Sequence, residues 1–213
     1  MLLLALDTAT PAVTVALHDG EHVLTESTVV GGQHGELLAP GIAQALATAG
    51  VTPGDLTDVA VGVGPGPFTG LRVGIVSARA FGDVLGVPLH GVCTLDVLAW
   101  QHGAAGPFVV ATDARRKEVY WARYADARTP RTEPAVDRPA DVATPEPVVG
   151  NGGQLYLDAF PGAQEPVYPS ASALADLTVE RLRSGGTLLD PLPLYLRRPD
   201  ARAPGARKRV LPA

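Results

Sequence analysis

The sequence predicts an α/β protein in which one unit is built twice, each copy a mixed sheet with helices packed on it. Three observations carry this. A strand–turn–strand opening, "LLLALDTATPAVTVALHDG", begins again as "PFVVATDARRKEVYWARYAD" from Pro107, and placing Asp7 on Asp113 gives an offset of 106 residues, about half of the 213. "AVGVGPG" (60–66) is echoed by "PVVGNGG" (147–153), in each case a buried-type strand ending in glycines before a helix. Antiparallel hairpins precede strand–helix units in both halves, the order that makes a mixed sheet. The repeat predicts two subdomains, residues 1–105 and 106–213.

Each element follows from local chemistry. Leu2–Leu6 and Ala12–Leu17 read as the first two strands. Asp19-Gly20 is a tight-turn dipeptide, so Ala12–Leu17 pairs with a third strand, Val23–Val29. A helix spans Gly35–Ala49 and stops at Gly50. Strand Val59–Val63 leads through a glycine- and proline-rich loop into a helix over Gly70–Leu85, with Thr69 as the candidate N-cap. Strand Val87–Val92 follows, then a helix capped by Thr94 and ending near Gly103. The second half has strands Phe108–Thr112 and Glu118–Tyr124, a loop-rich stretch over 125–146 and strand Val148–Val149. A short helix after Gly153 and a helix over Ser170–Ser184 complete it.

Charge is divided unevenly. Residues 1–106 hold nine acids and two bases, Arg72 and Arg79, for a net −7; residues 107–213 hold thirteen acids and fifteen bases, for +2. The acidic half repels phosphate, which argues against a stand-alone nucleic-acid binder. Six Arg/Lys between Arg197 and Arg209 form a basic tail, read as a solvated segment. One cysteine, Cys93, excludes an internal disulfide framework. No apolar run reaches membrane-spanning length and Met1 leads straight into a strand, so the expectation is a cytoplasmic protein with no membrane contact.

The loop "VGVGPGPFTGLRVG" (61–74) looks like a phosphate cradle and fails each test for one. The P-loop needs G-x-x-x-x-G-K-[ST], but Leu71-Arg72 stands after Gly70. G-x-G-x-x-G fails at Pro67 counted from Gly62, and at Thr69 counted from Gly64. Pro65 and Pro67 also have no N–H to offer an anion. The loop therefore reads as a rigid strand-to-helix turn. Beyond it, Gly70, Gly74, Ala78 and Gly82 recur every four residues as a small-residue stripe. Interior glycines each cost on the order of 1 kcal/mol, so close approach of another backbone is expected in compensation. Apolar side chains surround this helix, and Leu37, Leu38, Ile42 and Leu46 line the preceding one. The reading favours an intermolecular helix bundle over burial inside the chain.

Asp7 and Asp113 occupy matching hairpin turns. In phosphotransferases of the actin and hexokinase type such turns, usually with glycine beside the acid, grip phosphates and metal. Here they read Asp7-Thr8-Ala9-Thr10 and Asp113-Ala114-Arg115-Arg116, without glycine, and so read as turn-capping aspartates rather than catalytic ones. Asp7, Thr8 and Asp113 are the nucleotide-proximal candidates. His18 and His22 flank a hairpin tip, the other histidines are isolated, and no metal site or Gly-x-Ser-x-Gly nucleophile elbow is expected.

"LALDTAT", "QHGELLAP", "VGVGPGPFTGLRVGI", "GVPLHGVCTLDVLA", "DARRKEVYWARY" and "PLYLRRPDA", in order along nearly the whole chain, resemble the bacterial TsaB (YeaZ) family. The resemblance implies an actin-like ATPase (ASKHA) fold of two duplicated subdomains. It implies a non-catalytic scaffold role in installing threonylcarbamoyl on the N6 of the tRNA adenosine beside the anticodon. A paralogous TsaD subunit would carry the metal and the transfer chemistry, and TsaE the ATPase. The partners implied are a TsaD-like subunit, a TsaE-like ATPase, a second copy of the chain, and tRNA only through the complex. No cofactor is implied beyond a weak or interface-dependent ATP or ADP contact. Carried over by position, the partner surface is Leu37, Leu38 and Gly41 on the first helix, and Gly70, Leu71, Gly74, Ser77, Ala78 and Phe81 on the second. The competing reading is an active ATP-dependent phosphotransferase or metallopeptidase-like enzyme of the same fold. The end of the chain, Arg202 to Ala213, has no counterpart in the resemblance.

Overall fold

The computed structural model of the chain describes residues 1–31 and 33–196; the basic tail 197–209 lies outside the described residues. Strand β1 (Leu3–Asp7) is buried along its whole length because it is central and covered on both faces. β2 (Ala12–His18) runs back antiparallel beside it, and β3 (Val23–Val30) follows as an exposed edge. β4 (Asp58–Gly62) and β5 (Leu89–Val92) lie parallel on the other side, giving the order β3-β2-β1-β4-β5.

The second sheet repeats this arrangement. β6 (Phe108–Asp113) pairs antiparallel with β7 (Val119–Asp126), which is edged by β8 (Thr129–Pro130) and β9 (Ala135–Asp137). β10 (Val148–Val149) and β11 (Ala163–Gln164) add in parallel on the far side of β6. The duplication read from the sequence is thus a duplication of sheet topology.

Alternation along the strands sorts the helices into layers. Leu4, Leu6, Val13 and Val15 face helices α1 (His34–Ala49) and α2 (Phe68–Leu85) through Leu38, Ile42, Leu71 and Ile75. Leu3, Ala5 and Ala60 face the opposite way. α3 (Thr94–His102) packs through Leu95 and Leu98 on Phe108, Val110 and Tyr124 of the second sheet. The outer face of that sheet carries α4 (Pro139–Val142) and α5 (Asn151–Leu155) near a cluster of Val109, Ala111, Val142 and Phe160.

α6 (Ala171–Ser184) belongs to the second half by sequence yet covers the first sheet. Leu174 and Leu177 pack with Leu3, Ala5 and Ala60. Polar contacts fix the helix in place: His18 Nε2 lies 3.1 Å from the Asp176 carboxylate, and Arg183 donates to the Gly20 carbonyl at 2.6 Å. Ser170 is its N-cap, accepting from the Ala173 N–H. After α6 the chain returns along α2 as an extended strap over residues 187–196. Leu189 and Gly91 exchange backbone hydrogen bonds of 2.8 and 2.9 Å, and the Leu194 N–H donates to the Val63 carbonyl at 2.8 Å.

Several sequence-based details change. α2 starts at Phe68 with Pro67 in the cap position, so Thr69 is inside the helix. α3 is preceded by Cys93, and Thr94 uses its hydroxyl on Asp7 instead of on its own helix. α5 begins at Asn151, ahead of Gly153. The stretch 125–146 contains β8, β9 and α4. None of these short elements has a periodic apolar run long enough to announce it.

The small-residue stripe also needs correction. Gly70, Leu71, Gly74 and Ala78 are buried against the chain's own first sheet. A Cβ on Gly70 would come within 2.5 Å of the Thr8 carbonyl, and one on Gly74 within 2.5 Å of the Thr8 hydroxyl. The backbone that approaches α2 closely is therefore that of the β1–β2 turn, and the stripe does not face another molecule. Gly74→Leu is expected to overpack this contact and destabilise the fold by about 1–3 kcal/mol or more, read as a lowered urea midpoint.

Candidate functional site

The turn after β1 is the point where both sheet and helices converge. The Asp7 carboxylate is 1% exposed; it accepts the Ala9 N–H at 2.6 Å and the Thr94 hydroxyl at 2.7 Å. Thr94 in turn takes the Gly64 N–H on its hydroxyl at 3.2 Å and donates its own N–H to the Gly64 carbonyl at 2.8 Å. Thr8 next to it donates to the Gly70 carbonyl at 2.7 Å and accepts the Gly74 N–H at 3.0 Å. His34, at the start of α1, reaches the Thr10 carbonyl through Nε2 at 2.8 Å.

The glycines of the loop serve this turn. A Cβ on Gly62 would strike the Asp7 carboxylate, and one on Gly66 would strike the Ala9 carbonyl. Together with Gly70 and Gly74, four glycines are spaced so that residues 7–9 can lie against β4, the loop and α2. Burial pushes the Asp7 carboxyl up to about 6, opposed by the Ala9 and Thr94 hydrogen bonds and by the charge of His34.

The second turn is built differently. Asp113 accepts the Arg115 N–H at 2.8 Å, with the Arg115 guanidinium 3.5 Å from its other oxygen. Its own N–H donates to the Asn151 side chain at 3.0 Å. Arg115, Arg116 and Lys117 all take left-handed φ, between 56° and 62°, in a sequence with no glycine to do so cheaply. Gly150 and Gly152 approach Ala111 closely, the second-half counterpart of the glycines packed on the first turn.

The two turns meet across a cleft of about 190 Å³ lined by Thr8, Thr10, His34, Thr69, Asp113 and Arg115 among others. Of the nucleotide-proximal candidates, Thr8 and Asp113 reach this cleft. Asp7 lies behind it, with its carboxylate turned into the protein. The hydroxyl of Thr8 is bonded to α2, and Pro67 of the loop after β4, which also lines the cleft, has no N–H. Among the described residues, no group of three or more His, Cys, Asp or Glu is placed to hold a metal ion.

The sequence matches the family model of TsaD, tRNA N6-adenosine threonylcarbamoyltransferase, over residues 27–174. A Mycobacterium tuberculosis protein of uncharacterised function is 46% identical over 210 residues, 93% of each chain. The Escherichia coli tRNA threonylcarbamoyladenosine biosynthesis protein TsaB is 38% identical over 127 residues, 58% of this chain and 55% of that protein. The solved structure of YeaZ from Pseudomonas aeruginosa superposes with a TM-score of 0.78 at 31% identity, covering 92% of this chain and 99% of that one. The chain belongs to the TsaB/YeaZ family. Its two sheets of matching strand order are the actin-like ATPase (ASKHA) architecture expected of that family.

Within this TsaB/YeaZ framework the expected partner residues divide. Gly70, Leu71, Gly74 and Ala78 are interior, as is Leu38 at 2% exposure. Leu37, Ser77 and Phe81 are half-buried, and Gly41 sits over Val15. The free face of α2 is the row two residues out of step with the stripe: Phe68, Arg72, Val76, Ala80 and Val84. Phe68, Val76 and Val84 are 47%, 63% and 84% exposed. Leu192 and Tyr195 of the strap extend the apolar surface beside it. The four-residue spacing from Phe68 to Val84 carries this face in the sequence, on the side of the helix opposite the glycine stripe.

Asp7 gives a pH test of the turn. Its carboxyl titrates at about 6 folded against 3.8 unfolded, so the folded chain holds the extra proton between these values. Its contribution to stability is greatest below 3.8 and is lost as pH rises through 6. Asp7→Asn is expected to flatten this dependence, changing the wild-type-minus-variant difference by about 3 kcal/mol between roughly pH 4 and pH 8 in urea unfolding.

Proposed function

We propose that this chain is a non-catalytic scaffold subunit of the assembly that makes threonylcarbamoyladenosine on tRNA. It docks a TsaD-type catalytic chain through the outer face of α2 and the adjoining surface of α1. The observation that carries this reading is the sealed first turn. In a phosphotransferase of this fold the turn after β1 must meet phosphate and metal, whereas here Asp7 is enclosed and Thr8 is spent on Gly70 and Gly74. A duplicated phosphotransferase architecture keeps its shape while its first gripping turn is turned to internal packing.

The remaining parts of the proposal follow from charge and surface. The net −7 of residues 1–106 keeps that half from RNA, so tRNA is met through the complex, as is a TsaE-type ATPase. The exposed row on α2 serves as the docking face, with self-association using the same surface when the partner is absent. The reading divides the chain into a partner-binding unit, residues 1–105, and a second unit from 106 onward, and places both in the cytoplasm.

The test is co-expression with the TsaD-family subunit of the same genome, followed by affinity measurement and an ATPase assay of the isolated chain. Val76→Asp is expected to weaken the complex by about tenfold or more while leaving the melting temperature within a few degrees of wild type. Steady ATP turnover by the isolated chain would overturn the non-catalytic reading.

A further inference from the structure

The first half contains two Arg/Lys residues, Arg72 and Arg79, and both stand on α2, where Asp83 is the one acid of the nine in that half. A spacing of seven residues puts them on one side of the helix, about 10 Å apart along its axis. Both are exposed, flanking Val76 on the free face described above. Among the described residues neither forms an ion pair with a carboxylate.

The strap holds both in position. The Arg72 guanidinium lies 3.8 Å above the Phe68 ring, and that ring stacks on Tyr195 with centroids 5.2 Å apart. Arg72 Nε also points at the Tyr195 hydroxyl at 3.4 Å. Arg79 donates through one terminal nitrogen to the Pro191 carbonyl at 2.9 Å. Each guanidinium therefore keeps outward N–H groups in a fixed plane, the geometry that suits a carboxylate and lowers the entropy lost on pairing.

We infer that Arg72 and Arg79 are specificity-determining residues that take two carboxylates about two helical turns apart on an acidic helix of the docking chain. This rests on the scaffold reading above and adds what the partner must present. The apolar row of Phe68, Val76 and Val84 supplies contact area, and the two cations set register and exclude basic or neutral helices. In a second copy of this chain α2 carries one carboxylate, Asp83, off this row, and α1 carries one, Glu36; neither helix presents two carboxylates about two turns apart, so the pair of cations is matched by a different, more acidic helix.

The experiment measures affinity for the co-expressed TsaD-family subunit at low and high salt. The Arg72→Glu/Arg79→Glu chain is expected to bind at least about tenfold more weakly and to lose the salt dependence of wild type. The neutral Arg72→Gln/Arg79→Gln chain is expected to fall between them. Arg72→Lys/Arg79→Lys keeps charge but not the planar fork, and should bind at intermediate affinity while retaining the salt dependence of wild type; a role confined to holding the strap would not keep that salt dependence. Melting temperatures accompany each variant, and the glutamine pair is used if the glutamate pair does not fold. Affinity and salt dependence unchanged by charge reversal, with Val76→Asp still disruptive, would overturn the inference while leaving the docking face intact. Charge reversal that alters only self-association in sedimentation would overturn it equally. No complex with the wild-type chain would remove the scaffold reading, and this inference with it.

Discussion

The enclosure of the Asp7–Thr8–Ala9 turn is the constraint on which the rest of the first half depends. A carboxylate with 1% exposure is held by one backbone N–H and one hydroxyl, and that hydroxyl belongs to the first residue of α3. The same turn supplies the hydroxyl that α2 closes on through Gly70 and Gly74. One three-residue segment thus ties β1, the loop after β4, α2 and α3 together. Isolated buried carboxylates are expensive, and this one is retained with few partners, its acidity reduced by the desolvation it suffers.

Much of this architecture was legible in the sequence because its signals were repeated. Asp7 and Asp113, the two hairpins, and the strand-glycine-helix runs at 60–66 and 147–153 specify the same topology twice. What the sequence did not disclose was direction. Gly70, Gly74 and Ala78 mark a face that something approaches closely, but periodicity does not say whether that something is the same chain. Thr94 reads as an N-cap from its position and is diverted by a carboxylate far away in sequence. Long-range polar contacts of this type leave no local pattern.

The second half shows how the same topology tolerates a different use of its turns. Where the first turn is buried and bonded to helices, the second projects Arg115, Arg116 and Lys117 in left-handed conformation, with Asp113 neutralised locally by Arg115. The cleft between them is small, and its two walls differ in charge, with Asp113 and Arg115 facing Thr8, Thr10 and Thr69. Equivalent positions in a duplicated fold have therefore been assigned unequal tasks, one holding the protein together and the other presented to its surroundings.

The crossing of α6 to the first sheet carries a consequence for how the molecule comes into being. Leu3, Ala5 and Ala60 share their cluster with Val97 of α3 but take most of their cover from residues 171–184, so during synthesis the earliest strands wait with one face half-covered while the whole second sheet is made. Maturation of the first half is thereby postponed until the second is in hand. A nascent chain that stalls before α6 presents an apolar sheet surface to whatever chaperone or neighbour is closest, and the two copies of the repeat succeed or fail together.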